Sequence, residues 1–213
     1  MFSGIIETTG IITGVRERDG VLECSIARPR DFVDVKIGDS VAINGICLTV
    51  EKIDAESLMF ALGPETLNVT GWHVGGMLGK VVNLERSLRF NDRIHGHLVT
   101  GHVDALGTVK AADPEGETLR LTISMPDKLA PYIWSKGSIA INGVSLTVNA
   151  CSLKEFQVWL IPETLKRTNL GQLGKDSLVN LEIDNMARGL VHVLRTMQEG
   201  SRWLAGQDKK VQT

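Results

Sequence analysis

Residues 40–50 (SVAINGICLTV) and 138–148 (SIAINGVSLTV) are identical at eight of eleven positions, at a constant offset of 98. The tetrapeptide at 64–67 (PETL) recurs at 162–165 with the same offset, while residues 4–10 meet 101–107, and Asn83-Leu84-Glu85 meets Asn180-Leu181-Glu182, at an offset of 97. A chain of 213 residues that contains itself twice folds as two copies of one design. The period exceeds the roughly 20–50 residues of a solenoid repeat, and each copy is the size of a small domain able to close its own core.

Within each copy, stretches rich in Val, Ile, Leu and Thr are punctuated about every ten residues by Gly, Asp, Asn or Pro, the spacing of an all-β barrel or sandwich. Strands are expected at 4–17, 21–27, 40–53, 58–62 and 81–84, and again at 103–111, 118–124, 138–150, 156–160 and 177–183, with short helical turns at 29–32 and 128–134. From Gly45 onward the alternation sends Cys47 and Thr49 to one face and Leu48 and Val50 to the other. The second copy does the same with Ser145 and Thr147 against Leu146 and Val148, so each barrel carries a polar pair on one face of a core strand. After Asp184 the period changes: Met186, Leu190, Val193, Met197 and Leu204 form an apolar stripe on a helix capped by Asp184 or Asn185. A helix of about 20 residues is marginal alone and needs a partner, either its own barrel or another copy.

The formal net charge of −2, with no basic run before Lys209-Lys210, lacks the footprint of a nucleic-acid binder. Three cysteines, Cys24, Cys47 and Cys151, suit neither a disulfide framework nor a thiolate metal site and read as reduced thiols of a cytoplasmic protein. The N-terminus has no positively charged leader pattern, and no apolar run is long enough for a membrane span.

His95, His97 and His102 cluster where the halves meet. No carboxylate or thiolate in the segment completes a zinc site, so a role in acid/base chemistry or ligand hydrogen bonding is preferred. The run GGMLGK at 75–80 fails the phosphate-loop spacing and puts Val81 where a metal-binding hydroxyl belongs; no nucleophile elbow surrounds Ser145. The copies differ where chemistry is carried: Cys47 stands against Ser145, Ile5 against His102, and Gly38 against Lys136. A duplicated scaffold with distinct polar groups suits two similar ligands in two roles.

Five segments, MFSGIIE at 1–7, NGICLTV at 44–50, GHLVTGH at 96–102, GVSLTV at 143–148 and IPETL at 161–165, resemble the riboflavin synthase α-chain family in order and spacing, and the resemblance runs from Met1 to about Leu204. It implies two tandem six-stranded antiparallel Greek-key β-barrels and a C-terminal helix, divided as residues 1–97, 98–185 and 186–205, with 206–213 a disordered tail. It implies the dismutation of two molecules of 6,7-dimethyl-8-ribityllumazine to riboflavin and 5-amino-6-(ribitylamino)uracil without metal or organic cofactor. It also implies a homotrimer whose active site lies between the first barrel of one subunit and the second barrel of a neighbour, each site holding two lumazines, and it raises lumazine synthase as a partner.

Carried over by position, the first-barrel pocket comprises Gly4, Ile5, Ile6, Ser40, Cys47, Leu48, Thr49, Ala61, Leu62, Gly63, Pro64, Glu65 and Thr66. The second comprises Gly101, His102, Val103, Lys136, Ser145, Leu146, Thr147, Ile161, Pro162, Glu163, Thr164, Leu165 and Lys166, with Asp184 as a further polar participant. Asn142 departs from the Asp that many members carry. His102 is the expected base for the lumazine methyl proton, Ser145 and Thr147 the groups that polarise the ring or relay protons, and Cys47 and Lys136 further catalytic residues. The alternative on the same fold is a non-catalytic antenna that binds lumazine or flavin.

Overall fold

A computed structural model describes the backbone of residues 1–208 and the side chains of residues 1–198. The first half is a closed antiparallel barrel of β1 (Thr8–Arg18), β2 (Val21–Ala27), β3 (Ser40–Ile43), β4 (Ile46–Ile53), β5 (Ser57–Leu62) and β6 (Val81–Arg86), in the order β1-β2-β5-β4-β3-β6. Alternate residues point inward along each strand. Leu22, Cys24 and Ile26 of β2 meet Leu58, Phe60 and Leu62 of β5 in one core. Two short helices, α1 (Pro64–Thr70) and α2 (Val74–Met77), connect β5 to β6.

The second half repeats this order with β7 (Ala105–Glu115), β8 (Thr118–Ser124), β9 (Ser138–Ile141), β10 (Val144–Thr147), β11 (Ala150–Cys151), β12 (Glu155–Leu160), α3 (Pro162–Arg167) and β13 (Leu178–Ile183). Its sheet has seven strands, β10-β9-β13-β7-β8-β12-β11, where six are expected. The extra strand is the counterpart of β4 cut in two between Thr147 and Ala150; Val148 donates its amide to the Gly137 carbonyl, as Val50 does to Asp39, and Asn149 donates to the Gln157 carbonyl. The two pieces end the sheet at its two edges.

The first strand of each barrel starts later than the sequence pattern implies, at Thr8 and Ala105, because the segments before them are exchanged between the halves. Residues 1–6 cross to the second barrel, where the Gly4 carbonyl accepts the Ser145 amide at 2.8 Å and Ile6 joins the second core. Residues 98–103 cross the other way: the Gly101 carbonyl accepts the Cys47 amide at 2.9 Å, and Val103 packs on the first core. Between them Phe2 and Val99 exchange both backbone bonds, at 2.8 and 3.0 Å, and with Ala42 and Ala140 form a small third core.

Two matching carboxylates hold the exchange in place. Glu85 accepts from the Ser3 amide and hydroxyl and from the Gly4 amide, and Glu182 accepts from the Thr100 amide and hydroxyl and from the Gly101 amide. At the centre the two hairpin turns stand back to back. Asn44-Gly45 and Asn142-Gly143 all have positive φ, the requirement of a two-residue turn that matches strand twist. Each Asn side chain accepts the amide of Asn83 or Asn180 in its own barrel, and those side chains donate across to the Asn142 and Asn44 carbonyls. Asn169 breaks the pseudo-twofold: it reaches from the second half to Asn44, Asn83 and Val81.

Helix α4 (Asn185–Asp208) is capped by Asp184, whose carboxylate accepts the Met186 amide at 2.8 Å. It runs past the expected end at 205, and residues 209–213 of the expected tail lie outside the described residues. Arg188 pairs with Asp104 and Arg195 reaches the Tyr132 hydroxyl and ring. Ala187 is buried, but Met186, Leu190 and Val193 are 76, 62 and 52% exposed, so that side of the stripe does not pack on its own barrel. No helix among the described residues is long and apolar enough to cross a membrane.

Candidate functional site

The exchanged segments rearrange the expected pockets. On the outer face of the first barrel, Cys47 meets α1 and the arriving segment, and a cavity of about 350 Å³ is lined by Ile46, Cys47, Glu65, Thr66, Gly101, His102 and Val103, among others. Gly101, His102 and Val103 were expected beside Ser145, and the structure sets them beside Cys47. Gly4, by contrast, lies on Ser145, so closely that a Cβ on Gly4 would be 2.6 Å from the Ser145 Cβ. The offset of 97 relates the segments correctly, but it cannot say that each serves the opposite barrel.

Other expected site residues divide by face. The side chains of Leu48 and Leu62 lie in the first core and Leu146 packs on the second, so these three offer a ligand little beyond their backbone. Thr49 and Thr147 are exposed on the outer faces and Ala61 is half-buried there. Ser40 and Ile5 line a larger cavity of about 780 Å³, together with Arg86, Arg93 and His95. Gly63 with Pro64, and Ile161 with Pro162, start α1 and α3 in the same way. Glu163 pairs with Arg167, while Leu165, Lys166 and Thr168 line a separate cavity of about 460 Å³ with Thr9.

Lys136 is exposed, and its φ of 70° is unusual. The other non-glycine residues with positive φ among those described are Asn or Asp, which tolerate that region. The copy at this position is Gly38, with φ of 92°, and both donate their amides across to β4 or its counterpart, at Val50 or Val148. A lysine held where its duplicate uses glycine costs about 1 kcal/mol or more. That cost is offset if the ammonium is needed at this corner of the second barrel.

The three clustered histidines go to three places: His95 to the larger cavity, His102 to the Cys47 cavity, and His97 to Ser145. His97 Nδ1 lies 2.7 Å from Ser145 Oγ, while His97 Nε2 is buried without a hydrogen-bond partner. Burial lowers the His97 pKa, against the opposing charges of Asp184 and Glu182. The result is a neutral, oriented imidazole with an unspent nitrogen. The histidine cluster was visible in the sequence, but nothing in the spacing distinguished His97 from His102. Cys24, by contrast, is inert: it lies in the core, and burial pushes its thiol up to about 12.

Burial also raises Glu85 to about 7, against the pull of its hydrogen bonds from Ser3 and Gly4. A carboxyl that holds its proton to higher pH when folded contributes stability below the ordinary carboxylate range, and this is lost as pH rises to about 7. Urea unfolding at pH 5 and at pH 8 is expected to show a loss of about 3 kcal/mol on that account, and Glu85→Gln to flatten the difference. An equal pH dependence in the variant would assign the loss to other groups.

Two furnished barrels that exchange their leading segments define a class. A family model described as the lumazine binding domain matches residues 3–87 and 100–184, one copy per barrel. Riboflavin synthase of Photobacterium phosphoreum is 39% identical over 195 residues, spanning 91% of this chain and 89% of that protein. Riboflavin synthase of Mycobacterium tuberculosis H37Rv is 37% identical over 201 residues, spanning 92% and 99%. The crystal structure of LumP complexed with riboflavin superposes with a TM-score of 0.80 at 30% identity, covering 87% of this chain and all of that one. LumP complexed with 6,7-dimethyl-8-(1'-D-ribityl) lumazine gives 0.76. The chain belongs to the riboflavin synthase family.

Proposed function

We propose that the chain converts two molecules of 6,7-dimethyl-8-ribityllumazine into riboflavin and 5-amino-6-(ribitylamino)uracil, one lumazine held at each kind of barrel. The observation that carries this reading is that both outer faces keep their polar groups, Cys47 with His102 on one and Ser145 with His97 on the other. A four-carbon unit passes from one lumazine to the other, so the two identical molecules balance the reaction between them and no external oxidant or reductant is required.

The donor lumazine must lose a proton from its C7 methyl group, and the acceptor must be held open to attack at an electrophilic ring carbon. We assign the proton to His97: with Nδ1–H donating to Ser145 Oγ, its neutral imidazole presents Nε2 as the acceptor nitrogen, as a general base requires. His102 and Cys47 then serve the other lumazine, by hydrogen bonding and by stabilising the adduct. Lys136 places a cation at the edge of the second face, and Thr147 offers a hydroxyl beside Ser145. Much of the rate comes from holding the two rings face to face.

The resemblance to the family supports a site shared between the first barrel of one subunit and the second barrel of a neighbour. The exposed Met186, Leu190 and Val193 stripe supports a homotrimer through α4. Deleting residues 186–213 is expected to reduce the chain to monomers or dimers in sedimentation velocity; a truncated chain that stays trimeric removes the helix from assembly. Three free cysteines, one of them exposed, favour the cytoplasm.

The test is to incubate the purified chain with dimethylribityllumazine, without additives, and follow riboflavin by absorbance. One riboflavin per two lumazines consumed is the expected outcome. Stoichiometric binding without product would make the chain an antenna, and no binding would overturn the ligand class.

A further inference from the structure

Register across the duplication exposes one difference in the second barrel that the catalytic reading does not use. On the outer face of β5 stands Ala61, and the residue at the same place on β12 is Trp159, since Val158 and Leu160 match Phe60 and Leu62 as inward residues. The β4–β5 register pairs Val50 with Phe60, which sets Thr49 beside Ala61. By the same register Thr147 stands beside Trp159, and β10 is in contact with β12. Ser145, Thr147 and Trp159 therefore share one outer face.

The indole is held ready. Trp159 pairs with Arg120 of β8, whose guanidinium lies over the ring, 5.9 Å from its centroid. Arg120 is itself fixed by Asp113 and Glu115. An exposed tryptophan would ordinarily sample several rotamers; this one is braced from the neighbouring strand, yet 36% of its surface stays open. Ile161, at the start of α3, continues the apolar surface and is 57% exposed. An unbraced large ring on a solvent-facing strand would carry no message, but a braced one beside the groups that meet the ligand does.

We infer that Trp159 is a stacking platform for the flat bicyclic ring of the ligand at the second barrel, with Arg120 as the residue that positions it. Residues two apart on a strand are about 6.8 Å apart, so a bicycle bonded at Ser145 reaches past Thr147 to the indole. Offset stacking of two aromatic systems adds affinity beyond the area buried. The first barrel, with Ala61 in this place, has no such platform, so the two barrels hold one ligand chemistry in two ways: by hydrogen bonds and a close-fitting cavity in the first, by stacking in the second. The inference rests on the proposed lumazine and flavin binding.

The test uses the full-length chain and riboflavin as the probe, because indole stacked on a flavin quenches its emission. Wild type is expected to bind riboflavin with one class of sites strongly quenched, Trp159→Leu to lose that quenched class while retaining the other, and Trp159→Phe to retain binding with partial emission. Arg120→Met is expected to weaken the quenched class severalfold. In turnover, Trp159→Leu is expected to raise KM for the lumazine at least tenfold, with kcat less affected. Unchanged quenching and unchanged KM in Trp159→Leu, with its thermal midpoint preserved, would overturn the inference. If Trp159→Leu does not fold, Trp159→Phe and Arg120→Met decide it by the same readouts. Wild-type chain that makes no riboflavin but shows the Trp159-dependent quenching would sink the catalytic reading and leave this one standing.

Discussion

Replacing His97 by Gln is expected to slow riboflavin formation by about 100-fold to 10,000-fold, the range a general base contributes, while dissociation constants for the lumazine change by less than threefold. The asymmetry follows from geometry. His97 meets Ser145 through Nδ1 at 2.7 Å; in the tautomer whose Nδ1–H donates to Ser145 Oγ, Nε2 is the nitrogen left to take a proton, and glutamine keeps a polar contact to Ser145 but has no basic nitrogen. Ser145→Ala removes the brace instead of the base and is expected to cost about tenfold, with Cys47→Ser of similar size at the other lumazine. The pH profile separates these roles. Because burial lowers the His97 pKa, the base stays neutral below the usual histidine range, and the acid limb of kcat is expected to fall at a pH below about 6.5. A His97→Gln enzyme with wild-type kcat would return the proton to His102, whose own replacement is the paired measurement.

Gly45→Ala is expected to destabilise the chain by on the order of 3 kcal/mol or more, a cost reserved for overpacking and forced backbone. A Cβ on Gly45 would lie 2.7 Å from the Gly143 amide nitrogen, and one on Gly143 would lie 2.8 Å from that of Gly45. Both atoms belong to backbone, so no side chain can swing away to relieve the overlap. The φ of 78° adds left-handed strain. Gly20→Ala is the control: its φ is 77°, but a Cβ there meets nothing, so it reports the strain alone, about 1 kcal/mol. Equal losses in urea unfolding for the two variants would show that the back-to-back turns tolerate separation.

These turns also show why part of the protein was legible and part was not. Residues 40–53 and 138–150 each read as one strand, but the structure folds each into a hairpin at Asn44-Gly45 and Asn142-Gly143; the Asn-Gly pair between two alternating runs is a local hairpin signal that the strand reading passed over. The alternation that sends Cys47 and Ser145 outward is local as well, and so is the Asp184 cap of α4. What the two Gly-containing turns do to one another is not local, because each is an ordinary hairpin until the other is packed against it. The same holds for Glu85 and Glu182. In the sequence they are matched acids on apolar strands, and only the fold shows them binding the amides of segments that belong to the opposite barrel.

The site divides along the same line. Cys47, Ser145, Lys136 and His102 were nameable because the duplicates differ there, and a difference between copies is a property of the sequence alone. The grouping of Gly101, His102 and Val103 with Cys47, of Gly4 with Ser145, and the bond from His97 to Ser145 were decided by the exchange of leading segments. That exchange rests on the burial of Phe2 and Val99 between the halves, a contact across about a hundred residues that no periodicity records. Most strands, their outward and inward faces, and the family were thus determined by short-range pattern, where backbone geometry and side-chain alternation act over a few residues. Which residues share a pocket was determined by long-range packing, which acts only after both barrels have closed.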